Sequence, residues 1–221
     1  MSWSLRGYCV KVNEIFYSIQ GESSFMGWPC VFIRLTACDL RCTYCDTEYA
    51  FFEGREMSVD EILQAIDRYP TRLALVTGGE PMLQKGVYAL FDGLLDRGYT
   101  VSLETGGHVS LKEVDPRVHK IMDLKCPSSG MMEHNDYGNF EYLTRNDEVK
   151  FVVGTRADFD WACDKIRAYN LTAGVGTVLI SPVYGKLPYD QVARWVLDSA
   201  LPVRLQLQLH KVIWPEVLRG V

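Results

Sequence analysis

The sequence predicts an α/β fold, a partial barrel of about six strand–helix units, on three observations. Short runs of β-branched and aromatic residues alternate with segments of helical period, the rhythm of a parallel sheet. About six such units fit in 221 residues, too few to close an eight-stranded barrel of typically ~250 residues. The stretches that carry chemistry follow predicted strands: a cysteine loop after Thr36, Gly78-Gly79-Glu80-Pro81 after Thr77, Gly106-Gly107 after Glu104, then Lys125 and Ser181-Pro182. Parallel α/β folds build their sites at the carboxyl ends of strands. A (βα)6-type partial TIM barrel is the resulting expectation.

Each element has its own signal. Val31–Thr36 is a compact apolar run and reads as a strand. Ser58-Val-Asp-Glu61 is a capping box, and Ile62, Leu63, Ile66 and Tyr69 follow at helical spacing. Arg72–Thr77 is the next strand, and Val87–Arg97 a helix that Gly98 stops. Strands at Val101–Glu104, Lys120–Leu124 and Val149–Val153 follow. A helix at Asp158–Tyr169, a strand at Thr177–Ile180, a helix near Tyr189–Leu197 and a strand at Arg204–Leu209 complete the pattern. With no repeat and no linker rich in Pro, Gly or Ser, residues 1–221 read as one domain.

The bulk composition excludes several function classes. Apolar residues make up 48% and charged residues 23%, ordinary for a soluble globular protein. A net charge of −5 argues against a nucleic-acid partner, which calls for clustered Lys and Arg, and points to a small-molecule substrate. No apolar run approaches the ~20 residues of a membrane span. Met1–Val12 lacks the apolar segment of a secretory signal, so the cytoplasm is the expected location. Seven cysteines, three of them within Cys38–Cys45, suggest a ligand cluster plus scattered thiols in place of a disulfide framework.

That loop reads Cys38-Asp-Leu-Arg-Cys42-Thr-Tyr-Cys45-Asp-Thr47. Thiolates are soft ligands for iron–sulfur clusters or zinc. Three are one short of the set that fully ligates a [4Fe–4S] cluster, and the open iron can then bind a further molecule. A structural zinc site with a fourth ligand from Cys30 or Cys126 is the competing reading. The C-x3-C-x2-C spacing resembles the radical S-adenosylmethionine (SAM) superfamily, in which the unique iron chelates SAM and an electron from the cluster yields a 5′-deoxyadenosyl radical. Gly78-Gly79-Glu80-Pro81 resembles that superfamily's second signature, which holds the SAM amino group.

The stretch Glu14-Ile-Phe-Tyr-Ser-Ile-Gln-Gly-Glu22, then Gly27-Trp-Pro and Phe32-Ile-Arg-Leu-Thr36, runs into the cysteine loop. Together with Thr77–Pro81, Leu103–Gly106, Lys125 and Gln208–Lys211, it resembles the 7-carboxy-7-deazaguanine synthase family. The resemblance implies ring contraction of 6-carboxy-5,6,7,8-tetrahydropterin to 7-carboxy-7-deazaguanine with release of ammonia, SAM being regenerated. It further implies Mg2+, a homodimer and an electron donor such as flavodoxin or ferredoxin, with the product serving queuosine-type deazapurine synthesis.

Carried over by position, Cys38, Cys42 and Cys45 would hold the cluster and Thr47 the Mg2+. Tyr44, Cys45, Asp46, Gly79 and Glu80 would contact SAM, as would the segments Asp123, Leu124, Lys125 and Ser181, Pro182, Val183, Tyr184. Ile19, Gln20, Gly21, Arg34 and Thr77 would line the pterin pocket, Arg34 pairing with the substrate carboxylate. Asp123-Leu-Lys125 departs from the Ser-Pro-Lys frequent in the family.

Other residues carry weaker signals. Glu104 could meet the SAM ribose or cap a turn. His210 reads as structural, and His108, His119 and His134 lack ligand spacing. Cys9, Cys126 and Cys163 read as inert or buried thiols. Pro127–Tyr142 reads as a loop, able to fold over a ligand or simply mobile; Trp214–Val221 varies within the family that the chain resembles, and a terminal carboxylate over the substrate is one role open to it. The alternatives are an activating enzyme for a glycyl-radical protein, which shares the cysteine loop, and a zinc-binding interaction module.

Overall fold

In the computed structural model, which describes residues 7–221, one nine-stranded sheet runs in the order β3-β1-β2-β4-β5-β6-β7-β8-β9. Two antiparallel strands lead: β1 (Cys9–Ile19) pairs with β2 (Pro29–Leu35) on one side and with β3 (Arg55–Ser58) on the other. From β2 onward every pairing is parallel, through β4 (Leu73–Gly78), β5 (Thr100–Thr105), β6 (His119–Leu124), β7 (Glu148–Val153), β8 (Thr177–Pro182) and β9 (Arg204–Leu205). The helices are α1 (Val59–Ile66), α2 (Val87–Asp96), α3 (Arg156–Ala168), the short α4 (Leu171–Gly174), α5 (Tyr189–Ser199) and α6 (Leu209–Ile213). An open, mainly parallel sheet of this kind is the expected partial barrel.

Strand alternation gives the two sheet faces different work. One face is apolar throughout: Ile33, Val76, Leu103, Leu124, Phe151 and Ile180 join the main core, which also takes up Ile62, Leu90, Phe159 and Val192 from the helices. The other face changes character along the strands. Near their starts Phe16, Cys30, Phe32, Leu73, Leu75 and Ile121 form a second, smaller core, with the Phe16 and Phe32 rings stacked 4.6 Å apart. One pleat further on, the same face carries Arg34, Thr77, Glu104, Asp123, Lys150 and Ser181. Register aligns them across the sheet, Arg34 beside Thr77 and Asp123 beside Lys150. Apolar filling therefore plugs one end, and a polar half is left open at the carboxyl ends.

Strict strand–helix alternation is interrupted at three places, two of them between strands that the sequence reading joined by no helix. The antiparallel β1 and β3 flank the parallel set, although alternate burial of Val10 and Val12 in β1 is a strand signal. No α-helix joins β5 to β6 or β6 to β7. Three single 3-10 turns (Pro127–Ser129, Met132–His134, Tyr137–Tyr142) take the helix's place in the second crossover. That stretch is packed: Asn139 is buried, donates to the Gly107 and Val109 carbonyls and accepts from the Leu111 amide, while Tyr137 stacks on Tyr169 at 5.1 Å. The final strand is assigned only to Arg204–Leu205; the Gln206 amide still reaches the Ile180 carbonyl at 2.9 Å, while its side chain accepts from the Ser23 amide at 2.6 Å and donates to Glu22 at 3.1 Å.

Cys126 and Cys163 are buried as expected, whereas Cys9 is exposed. Among the described residues no helix is long and apolar enough to cross a membrane. Of the stretch Met1–Val12 read for a targeting signal, residues 1–6 lie outside the described range.

Candidate active site

A cavity of about 610 Å³ opens at the carboxyl ends of the strands. Every chemistry-bearing stretch singled out in the sequence reaches it, with the cysteine loop forming one wall. That loop is built on strain. Ala37, just before Cys38, has φ 81°, a left-handed conformation unfavourable to a residue with a Cβ. Three backbone bonds hold it. Its amide donates to Ala50 at 2.9 Å, and its carbonyl accepts from Glu80 at 2.7 Å, while the Gly79 amide reaches Leu35 at 3.2 Å. The turn after β4 is thereby laid directly on the cysteine loop. Only glycine fits at 79, since a Cβ there would fall on the Ala37 carbonyl and lie 2.9 Å from the Cys38 Cβ.

Cys38, Cys42 and Cys45 all line the cavity, each partly exposed. Burial pushes all three thiols above the ordinary cysteine range, while backbone amides of Leu40 and Thr47 donate to the Cys38 and Cys45 sulfurs. Three soft donors presented by one curled loop fit an iron–sulfur cluster with one iron left open. Neither thiol offered as a fourth zinc ligand reaches the cavity. Cys30 lies in the small core with its thiol pushed up to about 12 by burial, and Cys126 lies in the main core. Among the described residues, no three His, Cys, Asp or Glu side chains converge tightly enough to hold a single metal ion.

The loop is braced from behind. Thr43 donates through Oγ1 to the Ser128 carbonyl (2.7 Å) and through its amide to Ser129 (3.0 Å). Ser128 in turn donates twice to Asp158, which also accepts from the Gly154 and Thr155 amides and caps α3. These donated bonds outweigh burial and hold the Asp158 carboxyl below the ordinary aspartate range. Its contribution to stability is therefore fully present above the unfolded aspartate pKa and lost as pH falls through the lower folded value. Asp158→Ala should cost about 2–3 kcal/mol at neutral pH by stranding several donors, with a smaller loss in acid. Urea melts at the two pH values check this, and an equal loss at both would show that the carboxylate contributes nothing.

Glu80 faces inward beneath the glycine pair and is nearly fully consumed by the protein. It accepts from the Met82 and Gly106 amides and from Thr105 Oγ1, all within 3.0 Å, and burial pushes its carboxyl up. It ties the turns after β4 and β5 together. His108, read as lacking ligand spacing, places Nε2 2.6 Å from Asp39 in the cysteine loop.

Of the other expected SAM residues, Tyr44, Asp46, Asp123, Lys125, Ser181, Val183 and Tyr184 line the cavity. Tyr44 donates to the Val152 carbonyl at 3.2 Å. Asp46 pairs with Lys211 and lies well below the ordinary range for that reason, burial opposing. Leu124 and Pro182 do not line the cavity: Leu124 belongs to the main core, and Pro182 is buried at the end of β8. Alternation turns each away from its neighbours in the segment.

Of the expected substrate residues, Ile19, Gln20, Arg34 and Thr77 line the cavity and Gly21 does not. Gly21 is overlaid by His210: a Cβ there would collide with the imidazole and lie 2.9 Å from the His210 amide. Arg34 pairs through Nε with Glu14 at 2.7 Å, and Tyr49 donates to the same Glu14 oxygen at 3.0 Å. Thr47, whose hydroxyl donates to Asp46 at 2.9 Å, offers the cavity a hard oxygen of the kind Mg2+ takes.

Three contributors escaped the sequence reading. Glu22 and Lys150 meet on the cavity floor; a lone lysine inside Val149-Lys-Phe-Val-Val was the available signal. His210, read as structural, lines the cavity, and burial lowers its pKa. The tail reaches the cavity through Pro215, Val217 and Leu218, with Arg219 4.1 Å above the Tyr49 ring and 2.9 Å from Glu53.

The chain matches the model of the radical SAM superfamily over residues 32–191. It is 48% identical to a 7-carboxy-7-deazaguanine synthase of Chlorobaculum tepidum, covering 96% of this chain and 97% of that one. It is 42% identical to one of Koribacter versatilis, covering 96% and 100%. The crystal structure of QueE from Escherichia coli superposes with a TM-score of 0.77 at 23% identity, over 95% of this chain and 100% of that chain, and supports the fold. With a cysteine loop, a glycine turn and a polar barrel half meeting in one cavity, and with relatives this similar over nearly their full lengths, the chain belongs to the 7-carboxy-7-deazaguanine synthase family of the radical SAM superfamily.

Proposed function

We propose that this chain converts 6-carboxy-5,6,7,8-tetrahydropterin to 7-carboxy-7-deazaguanine with loss of ammonia, as a radical SAM lyase using a [4Fe–4S] cluster, SAM and Mg2+. The observation that carries the reading is the single cavity, which joins three cluster thiols to a polar floor large enough for two small molecules. When bound, the cluster supplies the electron that opens SAM to radical chemistry.

The protein's part is to place and shield. Cys38, Cys42 and Cys45 would hold the iron as thiolates, giving up the protons that burial otherwise favours. Tyr44, Gly79, Asp123, Lys125 and Ser181 surround the SAM end. Arg34 takes the substrate carboxylate, its Nε anchored on Glu14, and Thr47 contributes the oxygen for Mg2+. Gln20 and Thr77 orient the heterocycle, while the tail side chains at the mouth exclude water. Residues 1–221 act as one catalytic domain. A homodimer in the cytoplasm, reduced by a flavodoxin or ferredoxin, completes the proposal.

Anaerobic reconstitution with iron and sulfide, followed by SAM, reductant, Mg2+ and the pterin, should give 7-carboxy-7-deazaguanine by mass spectrometry. Formation of 5′-deoxyadenosine without that product would return the activating-enzyme alternative. Arg34→Ala should raise the pterin KM by roughly 30- to 100-fold, the loss of a charge-assisted bidentate contact. Uncoupled 5′-deoxyadenosine formation should persist; its disappearance would remove Arg34 from the substrate end.

A further inference from the structure

Lys150 is a buried charge with no part in the scheme above. Its side chain is 6% exposed and enters the cavity floor from the middle of β7. Nζ lies 2.6 Å from Glu104, 2.8 Å from Glu22 and 3.7 Å from Asp123. These carboxylates arrive from β5, from the loop after β1 and from β6, so one lysine gathers three separate pieces of chain. Burying such a group is costly, and an apolar filling would serve stability as well. Geometry is what the ionic arrangement supplies.

All the neighbours of these carboxylates are donors. Glu104 accepts from Thr77 Oγ1 at 3.1 Å, and Glu22 accepts from Gln206 at 3.1 Å and Gln208 at 3.0 Å. Asp123 pairs with Lys125 at 3.2 Å through Oδ2, while its buried Oδ1 has no hydrogen-bond partner. With both lysines counted, three carboxylates against two ammonium groups leave the floor a surplus negative charge. It matches a ligand edge made of N–H groups and disfavours one made of carbonyls.

We propose that Lys150 is a positioning residue. By gathering Glu22 and Glu104 beside Asp123 of the SAM end, it builds an acceptor floor that selects heterocycles carrying an aminopyrimidine N–H edge. This rests on the functional reading above for its substrate class, and its test does not depend on turnover.

The probes are 6-carboxypterin and 6-carboxylumazine, which differ by an amino group against a carbonyl and are both fluorescent. Titrated into cluster-loaded protein with SAM, the pterin should bind about 30-fold more tightly than the lumazine. Glu22→Gln, which keeps the side-chain shape, should cut that preference to about threefold or less. Lys150→Met should abolish it, and Lys150→Arg should restore part of it, with melting curves showing that the variants are folded. Equal binding of the two probes by the wild type overturns the proposal, as does an unchanged preference in folded Glu22→Gln. If Lys150→Met does not fold, Glu22→Gln decides. Preference without deazaguanine formation would sink the assigned reaction and leave the floor standing; product without preference would do the reverse.

Discussion

Cys42→Ser, purified and reconstituted without air, should carry no stable [4Fe–4S] absorbance and form neither 5′-deoxyadenosine nor deazaguanine. The expected fall in activity exceeds the 10- to 100-fold typical of losing even an outer support of a metal site. A hydroxyl is a hard, neutral donor where iron needs a soft anion. The two thiols weighed as further ligands do not reach the cavity. Cys30 and Cys126 are buried in separate apolar cores, and Cys30 is held protonated up to about 12. The loop also cannot slide to offer a neighbour, because Ala37, Thr43 and Cys45 are each tied by backbone bonds. A variant that kept both its brown colour and its SAM cleavage would show that Cys42 is not a ligand.

Gly79→Ala should be nearly as damaging by a different route. The added methyl meets the Ala37 carbonyl, which is backbone, so no side-chain rotation relieves the clash. Either the turn after β4 lifts, losing the Glu80 amide bond to Ala37, or Ala37 leaves its strained conformation and takes Cys38 with it. A loss of about 2–4 kcal/mol is expected, with cluster content falling in parallel. Gly174→Ala is the contrasting case, since nothing lies within 4 Å of its Cβ position. Calorimetry on the two variants separates the explanations: equal melting points would mean that Gly79 is not held by that close approach.

The two cases mark what was legible in the sequence. The cysteine loop, the glycine turn and their position after strands could be read because metal spacing, tight turns and strand ends are local properties. Most parallel strands could be read for the same reason, as short apolar runs that need no knowledge of their partners. Leu124 and Pro182 show the limit. They were carried as part of contiguous segments, yet alternation in a strand sends neighbouring side chains to opposite faces, and these two belong away from the cavity. Pro127–Tyr142 shows another: it reads as a loop and carries only 3-10 turns, but its packing by buried Asn139 and stacked Tyr137 rests on contacts that periodicity cannot register.

By itself the sequence determined an α/β chain with three clustered thiols and a glycine turn placed for radical chemistry. The tertiary structure decided what surrounds them. Glu22, Glu104, Asp123 and Lys150 are 128 positions apart at their extremes, counting from Glu22 to Lys150, and although Asp123 and Glu104 were read as candidates singly, no local pattern joins the four. They come together because the barrel leaves the carboxyl half of its inner face unfilled by apolar side chains. There a buried charge must find its counter-charge or go unpaired, wherever in the chain that partner lies.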